Sequence, residues 1–391
     1  MAKLTTASIT DRLASLGSER WELHYEARRR IEAGEDLIEL TIGEPDIPTP
    51  AALVDVAFDA MKAGRTRYSG GRGEPGMLEA VAEKYARRTG RVMTQDHVLA
   101  MPGTQAALTI VMMALAESGD GILVPDPYYA TYEGVVHTTG ARFQPVAMSK
   151  ENGFHLTADQ LEQAITPQSK VLLLNSPHNP TGAVLSPEEI RAIGDVCRKH
   201  NLWIVSDEVY EELIYDGEFA SPFDVAELAD QVIVCSSISK SHAAPGFRSG
   251  WCVGSPDVIS KVQSIAEAIL FGGQPFIADM TEHALRRDDE TVKVMGRSYQ
   301  KRIALLQAAL ADSPSLQPLA PASGMFMLVD VSATGLTGEA FARGLLNHGV
   351  GVMPGSAFGK QAQGFVRLSL TVPDETLKEA ARRMAQYAQN L

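Results

Sequence analysis

The stretch Val171–Gly182, with the sequence VLLLNSPHNPTG, joins a short apolar run to a loop rich in proline and polar residues. The run Val171–Leu174 shows no alternation, which is typical of a parallel strand that helices cover on both faces. Ser186 and Pro187 then begin a helix, with an N-cap residue and a proline at their preferred places. A strand, a polar loop and a helix in this order indicate an α/β fold.

Short β-branched runs alternate with longer amphipathic segments on both sides of this stretch, and the pattern predicts a mostly parallel central sheet. The predicted strands are His97–Met101, Gly121–Val124, Val171–Asn175, Leu202–Ser206, Val232–Cys235 and Gly250–Val253. The predicted helices of this part are Thr104–Glu117, Pro187–His200 and Thr281–Ala311.

The length of 391 residues favours two domains, because a single core stops growing near about 250–300 residues. After about residue 312 the pattern changes to mixed strands and helices, which predicts a smaller α+β unit. The first 45 residues hold a helix around Ser18–Gly34, are too few to fold alone and should pack on that unit. We predict a large domain of residues 46–285 and a discontinuous small domain of residues 1–45 with 286–391.

The composition argues against several classes of partner. Lys and Arg number 35 against 48 Asp and Glu, a net charge of −13 without a basic cluster, so nucleic acid and anionic membrane are not expected. Cys197, Cys235 and Cys252 have no ligand-like spacing, which argues against disulfides and a structural metal and suits a reducing compartment. The N-terminus lacks a signal-peptide pattern, and the apolar run Ala106–Ala116 is shorter than the ~20 residues of a membrane helix. We expect a cytoplasmic protein.

Polar residues follow five of the predicted strands, at the edge where open α/β sheets bind ligands. These segments are Pro102–Gln105, Pro125–Tyr129, Ser176–Gly182, Asp207–Tyr210 and Ser236–Lys240. Gly103 and Thr104 start a helix, which is either an ordinary turn or an anion site formed by free amides and the helix dipole.

Lys240 follows a buried strand and is flanked by small residues, so it is partly desolvated and its pKa is lowered, as a nucleophilic amine requires. Asp207 ends another core strand, where it either caps a helix or pairs with a buried cationic nitrogen. A lysine that carries an aldehyde and an aspartate that faces a pyridinium nitrogen are what pyridoxal 5′-phosphate needs. Tyr129 is placed to stack on such a ring, and Ser237, Ser239 and Arg248 to bind its phosphate.

Arg367 lies in the run Phe365–Leu370, where strict alternation places it on the face opposite Val366, Leu368 and Leu370. A half-exposed strand arginine is the common case. If its face points inward, the charge needs a partner, and a substrate carboxylate fits the guanidinium fork.

In this order the motifs resemble the class I/II aminotransferases of the aspartate aminotransferase superfamily, fold type I, over nearly the whole chain. The matching residues are Gly43–Asp46, Tyr68, Pro102–Gln105, Asn179–Gly182, Asp207–Tyr210, Ser237–Lys240, Gly246–Arg248 and Arg367. The resemblance implies pyridoxal phosphate as cofactor, α-amino and 2-oxo acids as substrates, and a homodimer with shared active sites.

The resemblance also implies roles for the matching residues. Lys240 would bind the cofactor as an aldimine and move the substrate proton, Asp207 would keep the ring nitrogen protonated, and Asn179 and Tyr210 would bind the ring hydroxyl. Tyr129 would stack on the ring. The other implied cofactor contacts are Gly103, Thr104, Gln105, Ser237, Ser239, Arg248 and, toward the partner subunit's phosphate, Tyr68. Arg367, Gly43 and Asn179 would bind the substrate carboxylate.

The side-chain pocket is less readable. Some relatives that use acidic substrates have a lysine at the position of Thr104, whereas stretches such as Trp21–Tyr25 and Ile269–Ile277 resemble arginine–pyruvate aminotransferases. We therefore expect arginine as donor and pyruvate as acceptor. Two alternatives stay open: a β-lyase or decarboxylase on the same fold, and a non-catalytic pyridoxal-phosphate-binding module. The chain begins close to the first helix of the family fold, which argues against a regulator with an added DNA-binding domain.

Overall fold

The computed structural model describes residues 4–14, 16, 19–287 and 290–391; Ser18 and part of the segment predicted as Thr281–Ala311 lie outside these ranges. The α-helices are α1 (Ser8–Ala14), α2 (Glu22–Glu32), α3 (Ala51–Lys62), α4 (Pro75–Thr89), α5 (Thr104–Leu115), α6 (Tyr132–Thr139), α7 (Ala158–Ala164), α8 (Pro187–Lys199), α9 (Ile238–Ser241), α10 (Pro256–Leu270), α11 (Pro275–Arg286), α12 (Thr291–Leu310), α13 (Gly338–Leu346) and α14 (Asp374–Gln389). The strands are β1 (Ile38–Glu39), β2 (Val98–Met101), β3 (Gly121–Asp126), β4 (Arg142–Ala147), β5 (Ser169–Asn175), β6 (Trp203–Asp207), β7 (Val232–Ser237), β8 (Gly250–Val253), β9 (Gln317–Leu319), β10 (Phe326–Asp330), β11 (Val350–Gly351), β12 (Met353–Pro354) and β13 (Phe365–Ser369).

The central sheet has the strand order β2-β8-β7-β6-β5-β3-β4. Its strands run parallel except β8, which is antiparallel to both of its neighbours. All six predicted strands of this region are present, so the predicted α/β fold with a mostly parallel sheet is confirmed.

Strand β5 shows why its apolar run lacks alternation. Leu172 and Leu174 pack on one face of the sheet with Ile190 of α8, and Val171 and Leu173 pack on the other face with residues of α5 and α10. Both faces of the strand are therefore buried, and a polar residue at any of these positions would lose its contact with water.

The helix predicted at Pro187 begins with a reciprocal cap. Ser186 Oγ accepts a hydrogen bond from the Glu189 amide at 3.2 Å, and the Ser186 amide donates to Glu189 Oε2 at 2.7 Å. The local sequence thus determines where α8 starts, and with it where the polar loop Ser176–Gly182 must end.

The prediction of one helix over Thr281–Ala311 is wrong. Helix α11 ends at Arg286, Arg287 is extended, and α12 begins at Thr291. Residues 286–290 have the sequence RRDDE and offer no apolar side chain. Arg286, Arg287 and Glu290, the described residues of this segment, are exposed, so apolar burial does not stabilise a continuous helix at these positions.

A second, antiparallel sheet of order β12-β13-β10-β9 and the parallel pair β1-β11 form a smaller unit at the C-terminal end. The N-terminal segment packs on this unit: the Ile38 amide donates to Gly349 O at 2.9 Å, and Leu23 of α2 shares a core with Leu345 and Leu346. Among the described residues no helix is both long and apolar enough to span a membrane.

Candidate active site

The carboxyl ends of the parallel strands open on a cavity of about 410 Å³. Gly250, the first residue of β8, pairs with Ser237 and Met101, the last residues of the two flanking strands, so Arg248 arrives at the same edge although β8 runs the other way. Most of the predicted site residues line this cavity. They are Gly43, Thr104, Gln105, Tyr129, Asn179, Asp207, Tyr210, Ser237, Ser239, Lys240, Arg248 and Arg367.

Two predicted residues lie elsewhere. Gly103 sits behind the cavity with a φ of +86°, and a Cβ atom there would lie 2.3 Å from Arg248 Nη2. Only glycine therefore allows the guanidinium to approach the start of α5. Tyr68 is 86% exposed and packs edge-on against Phe271, which is itself 70% exposed. Its hydroxyl belongs to the outer surface of this chain.

Lys240 stands on the single turn α9, directly after the buried strand β7. Its Nζ atom donates a hydrogen bond to Gly43 O at 2.7 Å. Burial lowers the pKa of Lys240 to about 8, Glu44 opposes this shift, and Arg367 and Arg248 add to it. A lysine with this pKa holds a useful fraction of neutral amine near neutral pH, as the desolvation argument from sequence predicted.

Asp207 ends β6 and is buried. Its Oδ2 atom accepts a hydrogen bond from the Tyr132 hydroxyl at 2.6 Å, and Oδ1 accepts one from the Val209 amide at 3.3 Å. Burial raises the pKa of Asp207 to about 6, and these two hydrogen bonds oppose the shift. A carboxylate in this setting is stabilised by any cationic nitrogen brought next to it.

Arg367 points inward, which settles the question that strand alternation left open. Its side chain is 2% exposed and lies between the rings of Phe326 and Phe358, with 5.1 and 4.5 Å from the guanidinium carbon to the ring centroids. Nη1 donates to Asn179 Oδ1 at 3.1 Å and Nη2 to Thr41 O at 2.8 Å, whereas Nε has no partner among the described residues. Burial without an opposing carboxylate lowers the pKa of Arg367 to about 10. The site is thus built to receive an anion.

The opposite end of the cavity gathers hydrogen-bond donors. Thr104 begins α5 and its Oγ1 atom is buried without a partner among the described residues. Ser237 and Ser239 are buried beside it, and Arg248 donates from Nη1 to Pro245 O at 2.7 Å. Hydroxyls, a guanidinium and the positive end of a helix are what a phosphate group binds.

Aromatic rings form the walls between these two ends. Tyr129 meets Tyr132 edge-on at 5.7 Å, and Tyr210 meets Phe326 edge-on at 5.4 Å. Burial raises the pKa of both Tyr129 and Tyr210, so their hydroxyls stay protonated and act as hydrogen-bond donors. The backbone N–H of Asn179 donates to Asn175 Oδ1 at 2.8 Å, which fixes the backbone that carries the Asn179 side chain into the cavity.

Sequence reasoning missed several residues that the fold brings to the site. Tyr132 contacts Asp207, the Thr41 carbonyl holds Arg367, and Trp21 and Glu44 line the cavity. Tyr132 follows Tyr129 by three residues and so shares one side of the turn that starts α6, which is the one local signal available. Trp21, Thr41 and Glu44 come from the N-terminal segment. Trp21 and Glu44 lie in the quoted stretches Trp21–Tyr25 and Gly43–Asp46, but no role in the site was predicted for either of them.

A family model described as aminotransferase class I and II matches residues 35–384. The chain belongs to the class I and II aminotransferases. It is therefore a transaminase, and membership of this family implies pyridoxal phosphate as its cofactor. The chain is 41% identical over 386 residues to the arginine–pyruvate transaminase of Pseudomonas aeruginosa, with 98% of each chain covered. It is 32% identical over 390 residues to the aspartate aminotransferase of Geobacillus stearothermophilus, covering 97% of this chain and 98% of that one.

Solved structures of aminotransferases share the fold, which confirms the expected fold type I. The aspartate aminotransferase of Thermus thermophilus with maleate matches with a TM-score of 0.92, at 31% identity, covering 99% of this chain and 100% of that one. The aspartate aminotransferase of Rhizobium meliloti matches with a TM-score of 0.93, at 29% identity, covering 99% of each chain.

Proposed function

We propose that this transaminase uses pyridoxal phosphate bound at Lys240 to move the amino group of arginine to pyruvate. The observation that supports the placement of the reaction is the cavity between Asp207 and Arg367. It combines an amine with a lowered pKa, a buried carboxylate and a buried guanidinium whose Nε is free. The 41% identity to an arginine–pyruvate transaminase supports the choice of substrates.

The residues present fit the cofactor. The unpartnered Thr104 Oγ1 and the start of α5 suit its phosphate, together with Ser237, Ser239 and Arg248. Asp207 suits the protonated ring nitrogen. Burial raises the pKa of this carboxyl by disfavouring its charged form, and a neighbouring cation offsets that cost. When bound, pyridoxal phosphate supplies an electron-withdrawing ring that stabilises negative charge at the substrate Cα atom.

The protein's own residues then divide the remaining work. Arg367 would bind the substrate carboxylate through Nε and Nη2, Asn179 and Tyr210 would hold the ring hydroxyl of the cofactor, and Tyr129 would stack on its ring. Lys240 Nζ would take the proton from substrate Cα, for which an amine with a pKa of about 8 is suited near neutral pH. The aromatic walls exclude water, which strengthens each of these polar contacts.

We also propose a homodimer in which Tyr68 contacts the phosphate bound by the partner subunit. The exposed rings of Tyr68 and Phe271 support an interface at this surface, because large apolar side chains are rarely left together in water. The cytoplasmic location stays a proposal as well. It is supported by three free cysteines, two of which, Cys235 and Cys252, are directly opposite on neighbouring strands.

Absorbance spectroscopy and product analysis test the function. The purified holoenzyme should absorb in the visible range, and Lys240→Ala should lose the absorbing species that borohydride reduces. Arginine and pyruvate should yield alanine and an equal amount of the 2-oxo acid that corresponds to arginine. Release of ammonia or carbon dioxide from arginine without alanine would contradict transamination, and a retained reducible species in the alanine variant would contradict the role of Lys240.

A further inference from the structure

Five charged side chains of the described residues line the cavity: Glu44, Asp207, Lys240, Arg248 and Arg367. The proposed function assigns Asp207 to the ring nitrogen, Lys240 to the aldehyde, Arg248 to the phosphate and Arg367 to the substrate carboxylate. Glu44 alone has no assigned role. Once the cofactor and the substrate α-carboxylate are bound, each cationic side chain of this lining has a partner, so none remains for a carboxylate at the end of a substrate side chain. The carboxylate of Glu44 does remain, and it can pair with a cation at the end of a substrate side chain.

Glu44 lies on a loop that is fixed at both ends. Thr41 O accepts a hydrogen bond from Arg367 at 2.8 Å, and Asp46 pairs with Arg302 at 2.8 Å. The Glu44 side chain itself makes no hydrogen bond or ion pair within the described parts of the chain. It is near enough to Lys240 for its charge to act on that amine. An anchored loop thus presents an unpaired carboxylate to the cavity.

Trp21 lines the same cavity, and contacts of Arg20 and His24 anchor the segment that carries it. The preceding residue, Arg20, donates from Nη1 to Ala130 O at 2.9 Å and pairs with Glu133. On the other side the indole contacts the ring of His24 edge-on at 6.1 Å. These contacts tie Trp21 to the loop that carries Tyr129, so its ring is positioned before a substrate enters. A fixed indole offers its face to a cation, and a planar guanidinium stacks there best.

We propose that Trp21 and Glu44 form the side-chain subsite of this enzyme and select amino donors with a planar cation at the end of the side chain. The proposal rests on the function proposed above. Trp21 supplies a surface on which the planar group stacks, and Glu44 supplies the opposite charge. The two residues therefore contribute separately to donor selectivity, Trp21 through shape and Glu44 through charge.

Kinetics of the amino-donor half-reaction separate these terms. The donors are arginine, citrulline, which is planar and similar in shape but uncharged, and alanine, which lacks a side chain to bind. Glu44→Gln should lower the arginine-to-citrulline ratio of kcat/KM about tenfold, the worth of one well-placed charge contact. Trp21→Leu should lower the arginine-to-alanine ratio about tenfold, and Trp21→Phe should recover most of that loss. The analogue of arginine that lacks the α-amino group cannot react but can bind as a competitive inhibitor. Its inhibition constant should rise in Glu44→Gln and in Trp21→Leu.

Glu117→Gln is the matched control, because Glu117 is an exposed carboxylate at the opposite edge of the sheet, just before β3. It should leave both ratios as in the wild type. Equal losses for arginine and citrulline in Glu44→Gln, or unchanged ratios in both cavity variants, would overturn the subsite. If the wild-type enzyme converts alanine and citrulline with the same kcat/KM as arginine, the subsite is overturned but transamination is not. Failure to convert any donor would instead contradict the proposed function.

Discussion

Tyr132 donates its hydroxyl hydrogen to Asp207 across 2.6 Å, joining the start of α6 to the end of β6. Tyr132 follows β3 in the chain and Asp207 ends β6, and these strands are not neighbours in the sheet because β5 lies between them. The hydrogen bond favours the ionised carboxyl and so opposes the rise in pKa that burial causes. Tyr132 therefore helps to keep Asp207 ionised, as its proposed pairing with the ring nitrogen of the cofactor requires.

Tyr132→Phe should raise the pKa of Asp207 further above its present value of about 6. In its proposed role Asp207 would bind the cofactor in its charged form, which exists above its pKa. Affinity for pyridoxal phosphate should therefore begin to fall at a higher pH in the variant. We expect about a tenfold loss of affinity near neutral pH, measured as Kd by absorbance titration across a pH series. Tyr128→Phe is the control, since its hydroxyl donates to Glu133 instead. Parallel pH profiles for variant and wild type would refute the coupling.

Arg367→Ala should raise KM for every amino donor and every 2-oxo acceptor by about 100-fold, because the α-carboxylate loses a buried charged partner. Arg367→Lys should recover little, since an ammonium cannot replace the two-pronged contact through Nε and Nη2. Initial rates with arginine, alanine and pyruvate measure this. Arg343→Gln, which changes an exposed arginine paired with Glu22, should behave as the wild type. A rise confined to one donor would place Arg367 in the side-chain subsite instead.

Lys240→Met should stabilise the cofactor-free protein below pH 8, because burial of the charged amine lowers the Lys240 pKa from 10.5 to about 8. Below the folded-state pKa the Lys240 amine is charged in both the folded and the unfolded protein, and the folded protein carries the full cost of burying that charge. Above 10.5 both are neutral and the cost is gone. We expect a gain of about 3 kcal/mol near neutral pH that disappears toward pH 10.5, measured by denaturant unfolding at several pH values. A gain independent of pH would show that packing, not charge, is responsible.

Arg88 is the centre of a buried ion cluster behind the site. Its guanidinium contacts Glu208 at 2.8 Å, Glu211 at 3.0 Å and Asp224 at 2.8 Å, and the Glu208 side chain is fully buried. Arg88→Met leaves three carboxylates without their shared cation and should destabilise the fold by about 3–5 kcal/mol. Glu208→Gln leaves Arg88 two other partners and should cost less.

Urea denaturation of both variants checks this order. Arg286→Gln, which removes an arginine from ion pairs with Glu83 and Glu282 on the surface, should cost no more than about 1 kcal/mol. A larger cost for Glu208→Gln than for Arg88→Met would mean that the cluster is held by the buried glutamate rather than by the arginine.

The residues that could be predicted are those whose position follows from local sequence. Leu172 and Leu174 identify a strand buried on both faces, and Lys240 follows such a strand directly, so both its place at the sheet edge and its desolvation could be inferred. The break after Arg286 was missed, because a helical pattern precedes and follows the charged run of residues 286–290 in the sequence.

The sequence by itself determined the order of strands and helices, the edge where the polar residues gather and the family of the chain. These follow from periodicity, capping and motif order, which act within a few residues. Only the tertiary structure decided that Arg367 faces inward and that Trp21, Thr41 and Tyr132 join the site. Their roles depend on contacts between segments as far apart as Thr41 and Arg367, and such contacts exist only once separate elements pack around a shared core.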